Sequence, residues 1–187
     1  KTAICSVTVE IPKDPTPDPD SKPDPTPAPK PSVPDNQEST TDSTMTVGSE
    51  QKSGKGIYRI TGTRKTVTFV KPLNDKNTSF NVPASVKLAD GRYKVTAIDK
   101  NAFKNNRKLK KVTIGSNVKK IEKNAFAGCS KLKTVNMKKA TGITSIGSKA
   151  FSKIDAKAKV TVPAKKLSKY KRMLKKAGLP KKATVKK

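Results

Sequence analysis

Carboxylates are the side chains of this sequence whose spacing could support catalysis. The chain of 187 residues has no histidine, and residues 51–187 hold one cysteine and five carboxylates. Two of these, Asp99 and Glu122, stand 23 residues apart at equivalent places in a repeated phrase. Stacked repeats would bring them to about one inter-strand distance, roughly 5 Å. Two carboxyl groups at that separation also describe a retaining glycosidase.

A structural role explains this pair better than catalysis. Each carboxylate precedes a short Ala-Phe phrase, where it can cap a helical turn. Four nearby lysines can screen the two charges: Lys100, Lys119, Lys120 and Lys123. The carboxylates form no cluster of metal ligands, and the sequence has no phosphate loop or nucleophile elbow. It therefore predicts a protein that is not an enzyme, with no catalytic residue, metal site or cofactor.

The repeated phrase is the main signal for the fold. Ala102-Phe103, Ala125-Phe126 and Ala150-Phe151 are separated by steps of 23 and 25 residues. Each copy precedes a short alternation of apolar and polar residues, such as Val112-Thr113-Ile114. Such alternation indicates a half-buried strand, and the Ala-Phe phrase is predicted to form one helical or 3₁₀ turn. Because one unit cannot bury its own apolar side, several units are expected to stack.

These units resemble leucine-rich repeats of the BspA type, which occur in surface proteins of anaerobic bacteria and some protists. The matching segments are IDKNAFKNNRKLKKVTI, IEKNAFAGCSKLKTVNM and IGSKAF. The family pattern has a glycine where the first two units have Asp99 and Glu122, and the third keeps Gly147. The third unit lacks the Cys-x-x-Leu step and resembles a terminal unit. The resemblance covers roughly Tyr93 to the C-terminus and implies a solenoid.

The predicted fold class is α+β, a short leucine-rich-repeat solenoid with a strand and a short helical turn in each repeat. An N-terminal β-hairpin cap is expected from the turn signals Thr61-Gly62-Thr63 and Asp90-Gly91, with Phe80–Leu88 covering the first repeat. A C-terminal capping helix is expected between Pro163 and Gly178, followed by a short strand. One helix face is apolar and consists of Leu167, Tyr170, Leu174 and Ala177.

Composition divides the chain into three regions. Residues 1–11 resemble the last strand of a bacterial immunoglobulin-like domain of group 2, which implies a longer multimodular protein. Residues 12–53 are rich in Pro, Asp, Ser and Thr and are predicted to be a disordered linker. Residues 54–187 form the predicted repeat domain. Cys129 lies where a repeat turn points inward, so it is expected to be buried rather than paired with Cys5.

Positive charge is concentrated in the predicted repeat domain. Residues 1–50 carry four lysines and nine acidic residues, a net charge of −5, whereas residues 51–187 carry 38 basic and five acidic residues, a net charge of +33. Lysines protect edge strands from pairing, but this charge exceeds what solubility needs. Because self-repulsion costs stability, a polyanionic partner is expected. The alternative is a solvated lysine face without a ligand.

The candidate binding surface is the outer face of the strand ladder. Polar strand residues are expected to form one column of Asn81, Thr113, Asn136 and Thr161, and a second column of Lys111, Thr134 and Lys159. Lysine clusters that recur with the repeat are expected at the rims of this face. The residues predicted to bind are Lys108, Lys110, Lys111, Thr113, Lys119, Lys120, Lys131, Lys133, Asn136, Lys138, Lys139, Lys159 and Thr161.

The sequence thus predicts a non-catalytic binding or adhesion module at the C-terminus of a secreted bacterial surface protein. Candidate partners are wall teichoic acid, host glycosaminoglycans and host surface proteins. Nucleic acid ranks last because the aromatic residues fall mostly on predicted core positions, and no apolar run is long enough for a membrane span. A monomer is expected. The alternatives are a targeting module of a secreted glycoside hydrolase or peptidase, and a structural spacer.

Overall fold

The computed structural model describes residues 46–187. The predicted immunoglobulin-like strand, most of the predicted linker and Cys5 lie outside the described residues. The elements, in chain order, are β1 (Glu50–Ser53), β2 (Gly56–Gly62), β3 (Thr66–Pro72), β4 (Ser79–Val82), β5 (Ser85–Leu88), β6 (Gly91–Ile98), β7 (Lys111–Ile114), β8 (Lys120–Ile121), β9 (Thr134–Asn136), β10 (Ser145–Ile146), β11 (Lys159–Thr161), a 3₁₀ turn (Ala164–Lys166), α1 (Leu167–Lys176) and β12 (Thr184–Lys186).

The strands form two sheets. A seven-stranded mixed sheet has the order β1-β2-β3-β6-β8-β10, with β5 paired to β6 beside this path. A five-stranded parallel sheet has the order β12-β11-β9-β7-β4. From β6 to β11 the chain alternates between the sheets, so each coil there contributes one strand to each sheet. This is the expected short leucine-rich-repeat solenoid.

The interior of the solenoid contains a file of aromatic rings. Phe69, Phe103, Phe126 and Phe151 stack with successive ring-centroid distances of 5.2, 5.0 and 5.2 Å. All four side chains are buried, as are most inward-facing strand residues of both sheets; Ile146 and Val185, on the last strand of each sheet, are partly buried. The expected stacking of the repeat units is therefore confirmed by the alignment of their three phenylalanines, and the file continues into the hairpin through Phe69.

Each Ala-Phe phrase was predicted to form one helical or 3₁₀ turn, and it forms short turns closed by bonds between residues three apart, as in a 3₁₀ turn, without a regular helix. In the first repeat the amide of Lys104 donates to the carbonyl of Asn101 at 2.9 Å, but Asn101 and Asn105 have positive φ angles of 60°. Left-handed residues end a helix after a few residues, and asparagine tolerates this conformation better than most residues. The amide of Phe103 donates instead to Ala125 in the next coil, at 2.7 Å, so the turns form a third backbone ladder.

Strands close the N-terminal end of the stack. The two predicted hairpins are present as β2–β3 and β5–β6. β1 lies in the last residues of the predicted linker, yet it pairs along its length with β2 and belongs to the mixed sheet. β3 pairs with β6, and β4 pairs with β7, so both sheets continue into this cap.

A helix closes the other end, as predicted. Tyr170, Leu174 and Ala177 are fully buried, and Gly178 has a φ angle of 81° just beyond the helix. The amide of Leu179 donates to the carbonyl of Leu174 at 3.1 Å, which satisfies one of the free carbonyls of the last turn. The predicted final strand is present as β12 and pairs with β11.

Candidate binding surface

The two carboxylates with catalytic spacing have different surroundings. Asp99 is largely buried, with 15% of its side chain exposed, and its Oδ2 lies 2.7 Å from Nη1 of Arg59. Its Oδ1 accepts a hydrogen bond from the amide of Lys100 at 2.8 Å. Glu122 instead lines an open groove on the mixed sheet beside Lys119. Asp99 therefore orders the junction between β2 and the first repeat, a role that the sequence did not indicate because Arg59 lies 40 residues away.

Neither carboxylate belongs to a candidate metal centre in the described part of the chain. Among residues 46–187, no three histidine, cysteine, aspartate or glutamate side chains approach one another closely enough to hold a metal ion. Cys129 is fully buried, as expected, and its Sγ donates to the carbonyl of Phe103 at 2.9 Å. Burial raises the pKa of Cys129 to about 12, so the thiol stays protonated and unreactive at neutral pH.

The two polar columns predicted on the strand ladder are present on the parallel sheet. Asn81, Thr113, Asn136 and Thr161 are register partners in successive strands. The second column consists of Ser79, Lys111, Thr134, Lys159 and Thr184. Adjacent strands are about 4.8 Å apart, so each column offers a polar side chain at that interval along the sheet.

An open groove of about 590 Å³ lies at the end of these columns, where the chain leaves the parallel sheet. Asn81, Thr113 and Asn136 line it together with Lys138 and Lys139. The side-chain oxygen of Asn136 accepts a hydrogen bond from the amide of Lys138 at 3.0 Å, which holds the start of this loop. No acidic residue lines this groove. The structure thus brings together four of the predicted binding residues.

The remaining predicted lysines fall into two groups. Lys111 and Lys159 are exposed on strands of the parallel sheet, and the other lysines of this group are exposed just before β7 and β9: Lys108, Lys110, Lys131 and Lys133. The prediction that Lys119 and Lys120 lie at the rim of this sheet was wrong, because they do not border it. The chain turns at residues 115–118, so Lys120 lies on β8 of the mixed sheet, paired with Ser145.

The positive charge of this surface is largely uncompensated. Residues 46–187 contain 38 basic and six acidic residues, a net charge of +32. Within that range, only Arg59 and Lys65 have a carboxylate within 4.0 Å. The lysines of the parallel sheet are therefore free to attract an anion, and they repel one another when none is bound.

Aromatic residues contribute nothing to the surface. The chain has five phenylalanines, three tyrosines and no tryptophan, and all eight aromatic side chains are at most 4% exposed. Bases and sugar rings that bind by stacking need an exposed aromatic face. The exposed side chains of the parallel sheet therefore offer charges and hydrogen-bonding groups but no aromatic face.

Sequence reasoning missed one group of basic residues at the C-terminal end. Lys171 and Lys175 on α1 face Lys181 and Lys182 across a groove. The signal was present, because Lys171 and Lys175 are four residues apart and share a helix face. The positions of Lys181 and Lys182 depend on how the chain returns after the helix, which no local sequence pattern indicates.

The family comparison agrees with this architecture. The family described as BspA type leucine rich repeat region (6 copies) matches residues 76–177, which is 102 of 187 residues. The chain belongs to this family. The match begins just before β4 and ends with the residue that follows α1. The BspA-type repeat region therefore includes the strands of β4 to β11 and the capping helix.

Solved structures show the same fold. A leucine-rich repeat protein from Bacteroides capillosus has a TM-score of 0.56 at 22% identity, over 74% of this chain and 98% of that chain. A leucine rich cell surface protein from Faecalibacterium prausnitzii has a TM-score of 0.52 at 24% identity, over 67% of this chain and 38% of that chain. A comparison with curated proteins found no match. No helix within the described range is long and apolar enough to cross a membrane.

Proposed function

We propose that this BspA-type repeat region is a non-catalytic, extracellular binding module of a bacterial surface protein. Its ligand is a linear polyanion, which binds along the parallel sheet and the groove at Lys138 and Lys139. The observation that carries this proposal is the pair of polar columns in strand register, with lysines that no carboxylate neutralises.

The spacing of the charges favours a polymer over a small ligand. Lys111 on β7 and Lys159 on β11 occupy the same column two strands apart, which corresponds to about 10 Å. Thr134 lies between them and Thr113 and Asn136 lie alongside, so hydrogen-bonding groups alternate with charges. A chain that carries an anionic group at regular intervals can pair with several of these side chains at once.

The chemistry of the surface also narrows the polymer class. Since every aromatic side chain is buried, the ligand is recognised through anionic groups and hydroxyls rather than through ring stacking. Wall teichoic acid and sulfated host glycosaminoglycans have these groups. Nucleic acid also carries the charge, but its bases would have no platform here.

The test uses the full chain and three ligands: heparin, purified lipoteichoic acid and duplex DNA. A fourfold variant removes the charges. Lys111→Thr and Lys159→Thr introduce threonine, the residue type that stands between them in this column at Thr134, and Lys138→Ser and Lys139→Ser remove the charges of the groove. We expect the fourfold variant to bind heparin or lipoteichoic acid about tenfold more weakly or worse, since each exposed charge contact contributes up to about 1 kcal/mol. Titrations over a salt series should show a smaller salt dependence for the variant.

A matched control variant removes four lysines elsewhere. Lys52, Lys87 and Lys94 lie on strands of the mixed sheet and Lys55 lies between β1 and β2, so their replacement by serine changes the net charge equally. This control should retain most of the affinity. An equal loss of affinity in both variants would show that only the net charge matters. If none of the three ligands binds at about 0.15 M salt, a structural spacer would be favoured. Preferential binding of DNA would contradict the polymer class.

A further inference from the structure

A second basic groove lies between α1 and the chain that follows it, far along the sequence from Lys111 and Lys138. It has a volume of about 700 Å³ and is lined on one side by Lys171 and Lys175 and on the other by Lys181 and Lys182. Leu179 and Val185 are partly buried and line it between these lysines. We call it the capping groove. Its walls belong to the terminal cap, and it meets the second polar column at Thr184, which also lines it.

We propose that the capping groove binds an acidic peptide segment of a partner protein, and that an apolar side chain of this segment packs on Leu179 and Val185.

The charge of the capping groove is one-sided. Asp75 lines the groove next to Lys71 and Lys104, and Glu122 lines the groove next to Lys119. The capping groove has no acidic lining residue, and no carboxylate of residues 46–187 lies within 4.0 Å of its lysines. The C-terminus of α1 opposes an anion with roughly half a negative charge, but four lysines outweigh it.

The helix holds two of these lysines in a fixed arrangement. Lys171 and Lys175 are one turn apart on α1, with about 5–6 Å between their Cβ atoms. Tyr170 and Leu174, which precede these lysines in the sequence, are fully buried and anchor the helix in the core. Carboxylates one or two residues apart in an extended peptide are separated by a similar distance, so one segment can meet both lysines.

The apolar floor decides between peptide and glycan. Leu179 is held in place by the bond from its amide to the carbonyl of Leu174, and Val185 by the pairing of β12 with β11. Both pack on the core with one side and border the groove with the other. The repeating units of a phosphate or sulfate polymer present mainly charged groups and hydroxyls, whereas a peptide with a leucine between acidic residues places an aliphatic side chain on Leu179 and Val185. Burial of apolar surface then adds to the attraction of charges.

The test uses two fluorescein-labelled peptides and the full chain. The first is Glu-Glu-Leu-Glu-Glu-Leu-Glu-Glu, and the second has alanine in place of both leucines. At about 0.15 M salt, we expect the leucine peptide to bind about tenfold more tightly, as burial of one leucine side chain allows. Lys171→Ser with Lys175→Ser, and separately Lys181→Ser with Lys182→Ser, should each weaken its binding about fivefold.

The control pair is Lys87→Ser with Lys94→Ser, which removes the same charge on β5 and β6 and should leave peptide binding nearly unchanged. All six lysines are exposed, so the variants should fold, and melting curves will verify this. Equal affinity for the two peptides, or an equal loss with the control pair, would overturn the proposal. So would a heparin fragment whose binding falls fivefold in the groove variants while the leucine peptide is unaffected, because the groove would then be a glycan contact.

Discussion

The two ends of the stack are covered in different ways, although each leaves the core and the backbone groups of a terminal coil to be protected from solvent. At the N-terminal end, β3 and β4 continue the backbone ladders of both sheets, and Phe69 and Phe80 cover the ring of Phe103 with centroids 5.2 Å away. At the C-terminal end, only the parallel sheet continues, through β12. The rest of the last coil is covered by α1, whose backbone bonds are mostly internal.

This difference shows what a helical cap requires. A strand satisfies the ladder of its neighbour along its whole length, but a helix has free backbone groups only at its termini. Here the carbonyl of Ala177, at the end of α1, accepts a hydrogen bond from the amide of Phe151 at 3.0 Å. Tyr170 adds a side-chain anchor: its hydroxyl donates to the carbonyl of Ala140 and accepts from the amide of Ile143 at 3.2 Å. The helical end thus depends on a few specific bonds.

The largest loss of stability is expected from a substitution in the middle of the phenylalanine file, which connects the two ends. Phe126→Ala removes the ring between Phe103 and Phe151, at 5.0 and 5.2 Å from them, and leaves a cavity in a fully buried file. Such a change costs about 3–5 kcal/mol, measured as the free energy of unfolding in urea. Because each coil contacts only its neighbours, hydrogen exchange should show the C-terminal end opening separately from the hairpins. A loss below about 1 kcal/mol would contradict a continuous core.

A smaller loss of stability is expected when one tyrosine hydroxyl is removed from either cap, and the loss should be larger in the helical cap. Tyr170→Phe leaves the amide of Ile143 and the carbonyl of Ala140 without their partner in a buried site, which costs about 1–3 kcal/mol. Tyr93→Phe is the matched change at the hairpin end, where the hydroxyl donates to Asp90 at 2.8 Å. Asp90 is exposed, so water can replace that bond and the loss should be smaller. Equal losses in thermal melts would remove the distinction between the caps.

The smallest effect concerns the ion pairs of the hairpin end. Arg59→Met breaks the contacts of Arg59 with Glu50 at 2.8 Å and Asp99 at 2.7 Å. Since 37% of the Arg59 side chain is exposed, solvent screening limits the loss to about 1 kcal/mol, and the difference from wild type should shrink at high salt. Arg92→Met removes an equal charge that has no carboxylate partner in the described residues. If the loss of stability in Arg59→Met did not depend on salt, the effect would be due to packing of the Arg59 side chain instead of its ion pairs.

Periodicity was sufficient to predict the parallel sheet and the aromatic file. Strict alternation around Thr113 and Asn136 reports which side chains face the core, and a constant repeat step places Phe103 and Phe126 in the same position of successive coils. The hairpins and the capping helix were predictable for a similar reason, because turn residues and a 3.6-residue pattern mark them.

Features that depend on three-dimensional closure were not predictable. β8 and β10 have two residues each, too few to show alternation, so the second sheet could not be inferred from period. The turn at residues 115–118 moves Lys119 and Lys120 to that sheet for the same reason. The left-handed asparagines could have been suspected from their residue type, whereas the capping groove depends on where the chain passes after α1.

The step of 23 residues between the first two units makes the length of this protein adjustable. A duplicated copy of residues 102–124 would enter with its turn, strands and phenylalanine already in register, and would add one further rung to each ladder. The hairpins and the helix would close the longer protein without change. The polyanion-binding surface that we propose would then lengthen by duplication, with one more strand residue in each polar column.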